Sequence, residues 1–228
     1  MNKKNEPAAE QQMENIENAL TQAESFVLKN QKILTNIVLA VLVVAIAIVA
    51  IHRWYVLPRQ NEAAVQLYPA ERYFAADSVQ LALNGDGNNP GFIDIIDEYG
   101  STPSGKLATY YAGICCLRLG EYEQAIDYLK KFKSKDVMVS SIAIGAMGDA
   151  YAELGRNAEA VSSYLKAAAN KPNEETSPIY LFRAGLLCEK TGDLAQALSL
   201  YEKIQSEYPS STEGGNIEKY IARVKQAK

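Results

Sequence analysis

Fifteen consecutive apolar side chains fill residues 37–51. Ile33 and Leu34 before the run, and Trp54, Tyr55, Val56 and Leu57 after it, widen the hydrophobic zone at both ends. The pattern predicts a membrane-spanning helix over residues 33–56, because a bilayer core takes about 20 mostly apolar residues and an unbroken run leaves no polar face for water. A signal-peptide core followed by cleavage is the competing reading. The long acidic segment ahead of the run, the Trp54-Tyr55 pair at its far boundary and the lack of a small-x-small site after it favour a retained span. Upstream, Ile16, Leu20, Ala23, Val27 and Leu34 recur at helical intervals. The polar tail, residues 1–32, is therefore open to two forms, a weakly amphipathic helix and partial disorder, the latter above all over its first dozen residues.

Beyond the span the pattern becomes a series of short helical segments with a repeating signature. Gly120, Gly155 and Gly192 are each followed five residues later by an alanine, Ala125, Ala160 and Ala197. Gly113, Gly148 and Gly185 stand seven residues before these glycines, and Leu129, Tyr164 and Tyr201 nine residues after them. The spacing between the later glycines is 35 and then 37 residues. This signature resembles the tetratricopeptide repeat, a unit of about 34 residues built as helix A, a tight turn and helix B. The middle unit carries the resemblance best, with Ile144, Met147, Gly148, Tyr151, Gly155, Ala160, Tyr164, Ala167 and Pro172 at characteristic positions. The fold it implies is all-α, a solenoid of three tetratricopeptide repeats over residues 106–211 behind a single N-terminal transmembrane helix.

Each repeated residue has a physical task. The turn glycines end helix A in a left-handed conformation that costs other residues free energy. Gly148 and its equivalents keep helix A close to its own helix B, where a Cβ would hold the backbones apart, and Ala160 and Ala167 serve that approach from the other side. Pro172 and Pro209 close helix B, and Pro178 suits the first turn of the next helix. A degenerate repeat is expected within residues 57–105: a helix over residues 62–83, then a helix B within residues 89–105. In it Phe92, Ile95 and Tyr99 mirror Tyr201, Ile204 and Tyr208. Residues 212–228, with Ile217, Tyr220, Ile221 and Val224 at helical spacing among charges, are expected to cap the array.

The resemblance also implies a protein-binding groove lined by helix A. Its positions fall on Leu107, Tyr110, Ile114 and Arg118 in the first unit. In the second they fall on Ile142, Asp149 and Glu153, and in the third on Ile179, Phe182, Leu186 and Glu189. The lining is mostly apolar with an acidic flank. The lysine, asparagine and arginine with which related repeats clamp a peptide carboxylate are replaced by such residues as Tyr110, Gly145 and Phe182, so an apolar segment is the expected ligand. Packing of some of these side chains against a neighbouring helix is the alternative for each.

Charge and composition narrow the partners. Residues 58–228 carry 18 basic and 22 acidic side chains, which argues against nucleic acid as a ligand. The three cysteines, Cys115, Cys116 and Cys188, make no disulfide framework, and Cys116 and Cys188 fall where Tyr151 stands in the middle unit, a core position. The one histidine is His52, at the membrane boundary. Without a histidine base, a Walker A loop, a CxxC or a GxSxG, no catalytic residue, metal site, cofactor or small-molecule substrate is indicated. Asp94, Asp97 and Glu98 read as the solvated face of a helix. The stretch 84–89 fails the EF-hand pattern and reads as a glycine-rich turn.

The layout of acidic tail, single span ending in Arg53-Trp54-Tyr55, alanine- and tyrosine-bearing helix and then repeats resembles the YfgM-type ancillary subunit of the bacterial Sec translocon. That resemblance implies an inner-membrane protein with a cytoplasmic N-terminus and a periplasmic repeat domain. Its implied partners are the Sec channel, periplasmic chaperones or secreted client chains. The charges flanking the span, Lys29 and Lys32 against Arg53 and Arg59, do not decide its orientation. An envelope-assembly adaptor bound to one fixed protein partner is the other reading of the same layout.

Overall fold

The computed structural model describes residues 6–227, in which every regular element is helical. The chain forms two compact units, Met1–Pro58 and Arg59–Lys228. In the first, α1 (Glu6–Lys29) gives way to α2 (Gln31–Ile51) at Asn30, whose side-chain amide donates to the Phe26 carbonyl at 2.8 Å. The helix α1 begins at Glu6, and residues 1–5, on which part of the disorder expected for the tail falls, lie outside the described residues. A π-helical turn (His52–Val56) follows α2. The most apolar window here has a mean hydropathy of 3.0, and none of α2 is buried by protein. The segment is long and apolar enough to span a membrane.

The second unit opens with α3 (Leu57–Ala75), α4 (Val79–Asn84) and α5 (Phe92–Tyr99). The single helix expected over residues 62–83 is thus broken. Asp77 adopts a left-handed conformation (φ 57°), and the Ser78 amide donates back to the Tyr73 carbonyl at 2.9 Å, closing α3 at Ala75. The Asp77 carboxylate pairs with Arg118 at 3.2 Å, so a tertiary contact accompanies the break. The degenerate helix B is α5, in which Phe92, Ile95 and Tyr99 are buried as Tyr201, Ile204 and Tyr208 are buried farther on.

Three helix pairs follow: α6 (Pro103–Leu119) with α7 (Tyr122–Lys131), α8 (Val137–Glu153) with α9 (Asn157–Ala169), and α10 (Ser177–Thr191) with α11 (Leu194–Glu207). Each second helix packs on its own partner and on the first helix of the next pair, which is how a solenoid builds one continuous core from units too small to have their own. Thr102, Asp136 and Asp193 start α6, α8 and α11 by accepting from the Gly105, Val139 and Gln196 amides at 2.9–3.0 Å. Gly120, Gly155 and Gly192 take φ values of 80°, 71° and 87°. The amide after each glycine donates at 2.8 Å to the carbonyl of Cys116, Tyr151 and Cys188 respectively, the same closure three times.

The glycines seven residues earlier act through space. A Cβ on Gly113 would strike Leu129, one on Gly148 the Tyr164 ring, and one on Gly185 the Tyr201 ring. The close approach anticipated from the sequence is therefore filled by a side chain of helix B entering a notch in helix A. After a 3-10 turn (Gly214–Asn216), α12 (Ile217–Gln226) buries Ile217, Ile221 and Val224 and turns its charges outward, capping the array.

Candidate protein-binding groove

Along α6, α8 and α10 the groove positions recur at three-, four- and seven-residue steps, which places each set on one helix face. Leu107, Tyr110, Ile114, Ile142, Ile179 and Phe182 are half-buried, and Leu186 is exposed. Leu107 and Phe182 lean on the main core. Tyr110 and Ile114 lean on a smaller cluster of Leu129, Ala143 and Ala146 between the first two repeats. Tyr110 stacks at a tilt on Phe132, with ring centroids 5.4 Å apart. Phe182 meets Tyr220 of α12 edge-on at 4.7 Å, so its outer face is shared with the cap. Tyr180, which the sequence did not single out, lays its ring where Gly145 leaves room on α8 and stacks on Tyr164 at 6.4 Å.

The charged positions are engaged with neighbouring repeats. Asp149 accepts from the Tyr164 hydroxyl at 2.8 Å and from Arg183 Nη1 at 2.7 Å on both of its oxygens. Glu189 repeats the arrangement, accepting from the Tyr201 hydroxyl at 3.0 Å and from Arg223 through a fork of two 2.7 Å contacts. Arg118 pairs with Asp77 and lies 4.4 Å over the Phe74 ring. Glu153 is exposed. Two of the three acids on the anticipated acidic flank are thus neutralised by arginines one repeat away, and the surface they border is more apolar in character than the residue types suggest.

Burial raises several phenols and thiols. It pushes the Tyr180 hydroxyl up to about 12, and raises Tyr164 and Tyr201, with the nearby Asp149 and Glu189 carboxylates adding to the effect. The thiols of Cys115 and Cys116 are pushed up to about 12 by burial, and Cys188 is raised for the same reason. All three are buried and free. Protonated thiols are poor nucleophiles and poor metal ligands. Among the described residues no group of three or more His, Cys, Asp or Glu side chains converges on one point. In the glycine-rich turn, Asp86 accepts from the Tyr73 hydroxyl at 2.6 Å and from the Asn88 and Asn89 amides, which holds its carboxyl well below the usual range. That carboxylate organises its own loop.

Comparison with known proteins adds a family and no individual relative. No curated protein matches the chain. Residues 92–136 and 146–212 match the tetratricopeptide repeat family, a range that takes in the degenerate helix α5 and the three helix pairs apart from the first half of α8. With the notched glycines, the thrice-repeated turn closure and the stacked pairs, the match makes this part of the chain a solenoid of tetratricopeptide repeats.

Proposed function

We propose that this chain is a membrane-anchored scaffold for protein–protein interaction that works beside the bacterial Sec translocon, its repeat domain in the periplasm receiving secreted chains or docking a chaperone. Tetratricopeptide repeat proteins are typically non-enzymatic scaffolds, and nothing in the domain's chemistry asks for another role. The observation that carries the reading is the half-exposed apolar stripe on helix A, with Tyr110, Ile114 and Leu186, flanked by acids already paired within the array. Such a surface favours an apolar or amphipathic segment over a charged terminus. The α2 segment supplies the anchor, with the N-terminus on the cytoplasmic side.

Mild detergent extraction followed by affinity recovery tests the assignment: the Sec channel is expected to come with the chain. Recovery of an envelope assembly lacking that channel would sink the Sec assignment and favour a fixed adaptor. Charging the groove at Ile114→Asp and Leu186→Asp then separates the two modes, since a client-handling scaffold loses many partners and an adaptor one. Leu186 is the cleaner site, because Phe182 also holds α12. Protease added to sealed, right-side-out membranes is expected to remove the repeat domain; cleavage from the cytoplasmic face alone contradicts the orientation.

A further inference from the structure

The segment joining the first two repeats differs from its counterparts. Helix α7 has 10 residues where α9 has 13 and α11 has 14. It stops at Lys131, and Phe132 turns into extended backbone (ψ 132°). The short helix leaves a cleft of about 480 Å³ against α8, with an apolar floor of Leu129, Ala143, Ile144 and Met147 and a wall formed by Phe132. Lys130 and Lys133 line it, and they belong to the most basic stretch of the domain, Lys130, Lys131, Lys133 and Lys135, four of the 18 basic residues beyond position 57. All four are exposed, and none joins an ion pair among the described residues. The nearest acid in sequence, Asp136, has its carboxylate turned to the Val139 amide as the cap of α8. The family match also lapses between residues 136 and 146, where the helical pairing itself continues.

We infer that this cleft is a second docking site, adjoining the helix A groove where Tyr110 and Ile114 pack on the same Leu129, Ala143 and Phe132, for an acidic polypeptide segment that carries a large apolar side chain. Its apolar residue enters between α7 and α8 and its carboxylates meet Lys130 and Lys133. Charge complementarity selects the occupant, since a net-acidic domain has set Lys130 and Lys133, neither in an ion pair among the described residues although Lys130 lies 5.7 Å over the Tyr151 ring, beside a recessed apolar floor. A bilayer would require apolar side chains that project outward, and Leu129 and Ala143 are buried. The chain's own acidic-apolar stretch in α5 has Ile95 locked in the core and is not available to fill the cleft. The inference rests on the scaffold reading in taking a protein as the occupant.

The test uses the full chain in neutral-lipid nanodiscs and a short fluorescent peptide in which Asp and Glu alternate with Leu and Phe. Saturable binding that weakens with salt is expected, falling roughly tenfold or more in a Lys130→Glu/Lys133→Glu variant. That variant should in turn accept the same peptide with lysine in place of its acids, which the natural chain refuses. Filling the cleft with Ser140→Phe should also block binding, and the melting temperature of each variant shows whether the fold is kept. No binding, or binding indifferent to the charge reversal, overturns the proposal. Three further results also overturn it: capture of phosphatidylglycerol vesicles lost in the charge-reversed variant, self-association lost in that variant, and peptide binding lost in Leu186→Asp alone. The last would leave the scaffold reading standing and move the peptide to the groove.

Discussion

Two kinds of glycine recur in each repeat, and their roles separate at the level of single atoms. Around Gly120, Gly155 and Gly192 a Cβ would meet nothing within 4 Å, so these positions need glycine for their left-handed backbone. Gly113, Gly148 and Gly185 need it for room. Gly155→Ala should therefore cost about 1–2 kcal/mol whatever its neighbours. Gly148→Ala should cost about 1–3 kcal/mol by overpacking against Tyr164. The double variant with Tyr164→Leu distinguishes them in a denaturant titration: it should be strongly non-additive with Gly148→Ala and additive with Gly155→Ala. Additivity in both would show that the notch is not the reason for glycine at 148. Both spacings were legible in the sequence, as was the equivalence of Cys116, Tyr151 and Cys188. What filled the notch was not, because a one-dimensional spacing says that something approaches and not whether it is backbone or a ring.

Between elements, the Asp149–Tyr164–Arg183 and Glu189–Tyr201–Arg223 contacts form two rungs that tie the second repeat to the third and the third to α12. In both cases acid and arginine stand 34 residues apart, about one repeat length, a spacing present in the sequence. Arg183→Met should destabilise the domain by about 1 kcal/mol, since its partner Asp149 is partly exposed and keeps its tyrosine donor. The loss should shrink in high salt. A salt-independent loss would point to packing of the guanidinium over Tyr180, 5.7 Å from the ring, as the larger contribution. Helix starts, turn glycines and the closing cap could be read directly from residue types. The break after Ala75 and the early end of α7 could not. The first depends on Asp77 tolerating a left-handed backbone while reaching Arg118. The second follows from no proline or glycine, and is visible only against the longer α9 and α11.

At the scale of the molecule, the core that holds the array together contains no residue before Ala63, so residues 59–228 freed from the span should fold and melt within a few degrees of the full chain. A soluble fragment lacking a cooperative transition would refute that independence. The same core predicts how the array fails with pH. Cys115 and Cys116 have ordinary values of 9.0 and are held up at about 12 by burial, and Tyr180 has an ordinary value of 10.0 and is held up at about 12. In each case the folded chain keeps a proton that the unfolded chain gives up at lower pH. Folding stability contributed by these groups is therefore fully present below about pH 9 and is lost as pH rises toward the folded values. Thermal melts followed by circular dichroism should be level from neutral pH to about 9 and fall steadily above it. Replacing Cys115, Cys116 and Cys188 by alanine should move the onset up toward about 10, where the unfolded tyrosines begin to ionise. A melting temperature still level at about pH 11 would mean that these groups are hydrated in solution, and that the repeats are less closely stacked than their buried thiols and phenols require.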